Sequence, residues 1–162
     1  MAMVRKDADM QRESYSWPEG TINWREVQDD PPGEWPGIYG TVDTQQFITR
    51  EICGSEKLVV GRTKFHKGSC HEPHMHFYAE EYIYCLSGKC VVGAGDKEFL
   101  FTPGDFQFAK VGQVHWLRNP FDEPVEFIWT YSGVSMPFES GYATPDHFAE
   151  QMAMYKKGDL PK

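Results

Sequence analysis

From Gln45 to about Ser132 the chain breaks into short β-prone runs closed by turn-forming residues, a rhythm that confines it to a sandwich or barrel of strands. The runs are QQFITREI, KLVVGRTKF, EYIYCL, KCVVGA, KEFLF, DFQFAK, HWLRN and VEFIWTY. Between them fall KGS, SGK, AGD, TPGD, KVGQ and NPFDEP, whose Gly, Pro, Asp and Asn allow the backbone to reverse. In VEFIWTY the period-2 rule puts Val125, Phe127, Trp129 and Tyr131 on one face and predicts that this face is buried. The same parity puts Gly61, Thr63 and Phe65 together and turns Arg62 and Lys64 the other way, toward solvent. The predicted class is all-β.

A chain of 162 residues is the size of one domain and buries about 70% of the surface its unfolded form would expose, so no disulfide staple is needed. No internal repeat or low-complexity tract divides it. Residues 1–40, rich in Pro, Gly and Trp, read as an irregular N-terminal arm whose Trp17, Trp24 and Trp35 need cover from the domain or from a second subunit. A β-barrel is expected over 41–135 and a C-terminal tail over 136–162, with a helix at about 145–157. There Thr144 caps, Pro145 takes the first helical position, and Lys156, Lys157 and Gly158 close the far end. Phe148, Met152 and Tyr155 form the stripe that would dock on the barrel.

Sixteen basic against 24 acidic residues give a net charge of -8, and no basic stripe interrupts the acidic balance. Nucleic acid and anionic membrane surfaces are therefore excluded as expected partners. The opening MAMVRKDADMQRESYSWPEG lacks the apolar stretch of ~7–15 residues that a secretory signal needs, and no run approaches the ~20 apolar residues of a membrane span. A cytoplasmic protein acting on a small molecule is the expectation. Cys53, Cys70, Cys85 and Cys90 show no CxxC pair and no zinc spacing, so they are expected to remain thiols. Cys85 and Cys90 would face one another across a hairpin at LSGK.

The chemistry concentrates in HEPHMHFYAEE, residues 71–81. Residues two apart on a strand point the same way about 6.6 Å apart, and two imidazoles so placed can meet on one ion with bonds of ~2.1 Å. His74 and His76 have that spacing. His71 has the wrong parity relative to them and sits near Pro73, so an extended segment would point it elsewhere unless the chain bends. On its own a His-x-His is often polar surface, and a lone His115 is often a hydrogen-bonded core residue. A carboxylate and a third histidine from a distant strand would complete a set of three nitrogens and one oxygen, which suits Fe(II), Mn(II), Co(II) or Ni(II) better than a thiolate-preferring metal.

These residues resemble the cupins. The first cupin motif is matched as Gly68, five residues, His74-Met75-His76, four residues, Glu81, six residues and Gly88. The second follows as Gly104, five residues, Lys110-Val111-Gly112, two residues, His115, three residues and Asn119. Lys110 departs, standing where the family usually has proline, which bears on the turn before His115 and removes no ligand. The resemblance implies a cupin-type antiparallel β-barrel, a double-stranded β-helix or jelly roll, with one divalent metal held by His74, His76, Glu81 and His115. Glu81 is preferred to Glu80, from which seven residues would separate Gly88; Glu72 and Glu80 are expected to be solvated.

What the resemblance implies for activity is broad, since the family includes dioxygenases, decarboxylases, lyases, isomerases and epimerases as well as storage and sensor proteins. The first expectation is an Fe(II)-dependent dioxygenase for a small oxygenated substrate, with aromatic residues lining a pocket. Mn(II), Ni(II), Co(II) and Zn(II) are alternative ions. The second is a redox-neutral lyase, decarboxylase or isomerase, and the third a ligand-binding protein without catalysis. Tyr78, His71 and Tyr131 are the candidate acids or bases, with Tyr84 beside them, and Arg62, Lys64 or Arg118 could pair with a substrate carboxylate. Exposed sheet edges and the aromatic arm lead to an expected homodimer.

Overall fold

The alternation of apolar and polar residues resolves into eleven strands in the computed structural model, which describes residues 37–144. They are β1 (Ile38–Tyr39), β2 (Val42–Ile48), β3 (Leu58–Phe65), β4 (Cys70–His76), β5 (Glu80–Ser87), β6 (Cys90–Ala94), β7 (Lys97–Phe101), β8 (Phe106–Ala109), β9 (His115–Arg118), β10 (Val125–Ser132) and β11 (Tyr142–Ala143). The arm as far as residue 36, and the helix expected at about 145–157, lie outside the described residues. No helix of the described residues is long and apolar enough to cross a membrane.

The strands form two antiparallel sheets. One has the order β1-β4-β9-β6-β7, with β11 also pairing β4, and the other has the order β2-β3-β10-β5-β8. After the β6–β7 hairpin the chain alternates between the sheets, β7 to β8, β8 to β9 and β9 to β10, as in a jelly roll. The apolar faces meet in one core of Val42, Phe65, Ile83, Val92, Phe101, Leu117, Val125 and Phe127, where Phe65 and Phe127 make an edge-to-face pair at 5.3 Å. This is the fold that the β-prone runs predict, and Val125 and Phe127 are buried as their parity requires, with Trp129 packed against them.

Three local expectations are corrected. The run QQFITREI does not continue as a strand through Ile52: β2 ends at Ile48, and Thr49 caps a helical turn, α1 (Arg50–Cys53), by accepting from the Ile52 N–H at 3.1 Å. Gly54 at φ +71° then closes it, so a Thr cap and a Gly stop outrank β-propensity here. LSGK is not a hairpin, because β5 and β6 belong to different sheets, and Cys85 and Cys90 meet inside the core as free thiols. Burial, and then the Cys85 sulfur, push the Cys90 thiol up to about 12, which leaves it without thiolate character. Arg62 does not extend into solvent: its side chain is 29% exposed and pairs with Glu126 across β3 and β10 at 2.5 Å.

The corner at Gly88 shows why glycine is needed. Its φ is +70°, and a Cβ there would collide with the Pro124 carbonyl oxygen. Asn119 fastens the loop that packs against this corner. Its buried side chain donates to the carbonyls of Phe65 (3.0 Å) and Glu123 (2.9 Å) and accepts from the Phe121 N–H (3.0 Å). Replacing Asn119 by Ala removes three hydrogen bonds to main-chain groups and should cost about 2–4 kcal/mol. Urea unfolding measures this directly, and a loss below about 1 kcal/mol would show that water replaces the amide.

Candidate metal centre

The site is built where β4 and β9 run side by side and β5 faces them from the other sheet. On β4 the ladder breaks between His71 and His74: His71 pairs with Leu117 and His74 with His115, three steps on one strand against two on the other. The extra residue falls at Glu72-Pro73, where proline has no N–H to give the ladder. Beyond this bulge His74 and His76 follow strand parity and point inward, and His115 enters from β9 directly opposite His74. Glu81 comes from β5.

The bulge also reverses the parity expected for His71. Its ring stacks on that of His74, with centroids 3.7 Å apart and planes 22° from parallel, instead of pointing away from the pair.

All four side chains are nearly sealed, with residue exposures of 1% for His74, 2% for His76 and His115, and 5% for Glu81. The Nδ1 atoms of His74 and His115 lie 2.7 Å and 2.9 Å from the carbonyl oxygens of Glu72 and Gln113. A carbonyl only accepts, so Nδ1 carries the proton in both rings. His76 Nδ1 lies 3.0 Å from Ser140 Oγ, which can accept in the same way. Each ring is thereby turned so that Nε2 faces the interior. The Nε2 atoms of His74 and His76 are buried with no hydrogen-bond partner, and a hydrogen-bonded core histidine does not explain such bare lone pairs.

Glu81 Oε2 lies 2.5 Å from His115 Nε2, 3.3 Å from His76 Nε2 and 3.9 Å from His74 Nε2. Burial alone would raise the Glu81 carboxyl, but the His115 charge and hydrogen bond, with the other two imidazoles beside it, hold it well below the usual carboxylate range. Burial alone would lower His115, and Glu81 reverses that and raises it. His74 is pushed down to about 3, by burial first and then by the His115 charge, so it stays a neutral donor. The Glu81 carboxylate is thus the point toward which all three Nε2 atoms turn, and it lies where a cation would sit.

One ligand atom from each residue lies within 4.8 Å of the others. Bonds of ~2.1 Å space neighbouring donors roughly 3 Å apart and opposite donors roughly 4.2 Å apart, so a small inward shift closes a coordination shell. Three imidazole nitrogens and one carboxylate oxygen, with two lone pairs already bare, fit a divalent transition metal.

Around the ligands stand two tyrosines. Tyr131, on β10 across from Glu81, has its ring 4.8 Å from that of His76. Burial first, and then the Glu81 and Tyr142 charges, raise its pKa well above the ordinary phenol value. Tyr142, on β11 across from His76, has its ring 5.0 Å from that of His74. Burial and the Glu72 carboxylate raise Tyr142 as well, although no hydrogen bond of normal geometry joins the two and the hydroxyl is buried without a partner.

The other candidates lie further out. Tyr78 packs between the cluster of Val59, Ala79 and Val134 and that of Met75, Phe77 and Ala143. Tyr84 is 42% exposed on the outer face of its sheet, and Arg118 pairs with Glu98 at the surface. Lys64 is half-buried on β3, opposite Glu126. Glu72 and Glu80 are half-buried, not solvated: Glu72 accepts from the Tyr39 hydroxyl, and Glu80 from those of Tyr82 and Ser132.

Sequence reasoning missed Ser140 and Tyr142. Neither lies in a spacing pattern shared with the histidines, and both reach the site only because a 3-10 turn, Pro137–Ser140, folds the chain back along β4.

A family model described as Cupin domain matches residues 61–131. Among curated proteins, 77 residues align at 32% identity with the alginate biosynthesis protein AlgA of Pseudomonas syringae pv. tomato, covering 48% of this chain and 16% of that protein. The chain therefore spans about a sixth of that relative's length. Among solved structures, a protein of Thermotoga maritima described as a predicted oxalate decarboxylase superposes with a TM-score of 0.57 at 22% identity, over 70% of this chain and 99% of that one. An uncharacterized conserved protein with a double-stranded β-helix domain from Klebsiella pneumoniae superposes at 0.54 and 22% identity, over 69% and 86% of the two chains. At these identities the likeness shows the fold.

Ser140 supplies the hydrogen-bond partner of His76 Nδ1, so Ser140→Ala frees that ring to rotate or to change tautomer. Affinity for Mn(II), measured by isothermal titration calorimetry on chelator-stripped protein, should fall roughly 10- to 100-fold. An unchanged Kd would remove Ser140 from the site.

Proposed function

The chain belongs to the cupin superfamily through its domain at residues 61–131, and from that premise we propose that it is a mononuclear-metal enzyme acting on a small oxygenated organic molecule. The observation that carries this reading is the pair of bare, buried Nε2 atoms on His74 and His76, gathered with Glu81 and His115 into one ligand-sized cluster. A purely structural cluster would leave no such lone pairs unsatisfied in the interior.

His74, His76, Glu81 and His115 would hold the ion, and the mixed nitrogen and oxygen set suits Fe(II) first, with Mn(II), Co(II), Ni(II) or Zn(II) as alternatives. Such an ion supplies a Lewis-acid centre and, when it is iron, redox access to dioxygen. On that basis we read the reaction as dioxygenation of a chelated substrate. The chain's own contribution is to fix the four donors by their outer hydrogen bonds and to keep bulk water from them by burial. The Tyr131 phenol, held protonated beside His76, can donate a hydrogen bond to a substrate oxygen.

The same phenol supports a second reading, a redox-neutral lyase, decarboxylase or isomerase, in which Tyr131 or the stacked His71 moves a proton. The description of the Thermotoga maritima protein belongs to that class.

Metal analysis followed by oxygen-electrode assays separates the two. Iron with substrate-dependent oxygen uptake favours dioxygenation, whereas anaerobic turnover with Mn(II) or Ni(II) would replace it by the second reading. Tyr131→Phe sharpens the distinction: with metal content unchanged, kcat should fall roughly 10²- to 10⁴-fold if Tyr131 is a general acid, and far less under dioxygenation. His76→Ala should lose both metal and turnover, and full activity in that variant would sink the assignment of the site.

A further inference from the structure

The outer face of the five-stranded sheet carries aromatic side chains that no described residue covers. Phe106 is 59% exposed, Tyr84 42% and Phe108 39%. Tyr82 stacks on Phe108 at 4.9 Å and lies 5.9 Å from Phe106, so the rings form one continuous strip along β5 and β8. β8 is the last strand of its sheet, pairing with β5 along one side and with no strand of the described residues along the other. Edge strands are normally blunted by charge or proline. At the end of the other sheet β7 carries Lys97 and Glu98, and the far edge of this sheet, β2, carries Asp43. Phe106-Gln107-Phe108-Ala109 carries neither device.

We propose that this strip is the contact between two copies of the chain, β8 pairing antiparallel with β8 of the second copy about a two-fold axis at Gln107. The ends of the strand favour this occupant. Asp105 stands just before β8 and Lys110 just after it, both exposed. Antiparallel self-pairing brings the acidic end of each strand to the basic end of the other, whereas a parallel arrangement sets like charges together. An axis at Gln107 keeps both outer faces on one side and puts Phe106 across from Phe108 of the other copy, the aromatic cross-strand pair that stabilises sheets. Tyr82 and Tyr84 flank these pairs on the next strand. The strip exposes on the order of 350 Å² of apolar side chain per copy, within the range of functional patches. Doubled, and with the main chain and a polar rim added, this approaches the roughly 1,200 Å² at which stable interfaces begin.

Sedimentation velocity on the full chain tests the proposal. The wild type should be a dimer at about 10–100 μM, and the double variant F106E/F108E should raise the dimer Kd at least 100-fold while metal content and melting temperature hold. K110E, which puts acid at both ends of β8, should raise it several-fold, and F99E on the edge strand of the other sheet should leave it unchanged. A monomeric wild type, whether its strip is open or covered by the chain's own residues 1–36, overturns the proposal. So does a dimer that F106E/F108E leaves intact or that F99E disrupts, and a K110E protein with wild-type Kd overturns the antiparallel register.

Discussion

A carboxylate sealed among three imidazoles is costly unless opposite charge or a cation meets it, and the site follows from where that group is delivered. Glu81 arrives on the five-stranded sheet and the histidines on the other, so neither sheet alone holds the cluster. The spacing between the sheets is fixed by the core beneath, where Phe65 and Phe127 of one sheet pack toward Leu117, Val92 and Phe101 of the other. Ligand geometry is thus inherited from ordinary core packing, and the Glu81–His115 contact lies at its electrostatic centre.

The chain spends a second layer of polar contacts on holding the donors still. Ser140 reaches His76 from a turn that is itself anchored: Glu139 accepts from the N–H groups of Ser135 and Met136 and pairs with Arg50 at 2.9 Å. Arg50 belongs to α1, and its N–H donates to the Ser135 carbonyl. The ion pair is half in solvent and contributes little alone; as part of a network with two main-chain donors it fixes the turn that carries Ser140.

Much of this was legible in the sequence, for identifiable reasons. Strand parity is local, so KLVVGRTKF and VEFIWTY disclosed their buried faces, and the spacing of His74, His76, Glu81 and His115 pointed to the residues that the structure gathers. What failed to show was non-local or depended on one backbone irregularity. Thr49 and Gly54 outweighed β-propensity in QQFITREI, and the pairing of LSGK depended on a sheet assignment that no local pattern contains. Ser140 and Tyr142 lie about sixty residues from the strand they support and share no period with it.

The irregularity at Glu72-Pro73 sets a limit on how this chain can vary. Side chains around the extra residue can be exchanged while the strand's path is kept. Losing one residue there would leave two steps from His71 to His74, matching the two from Leu117 to His115, so the strands would pair without a bulge and His74 would still face His115. The limit falls on lengthening, because a further residue has to be taken up in a wider bulge before His74 can again face His115.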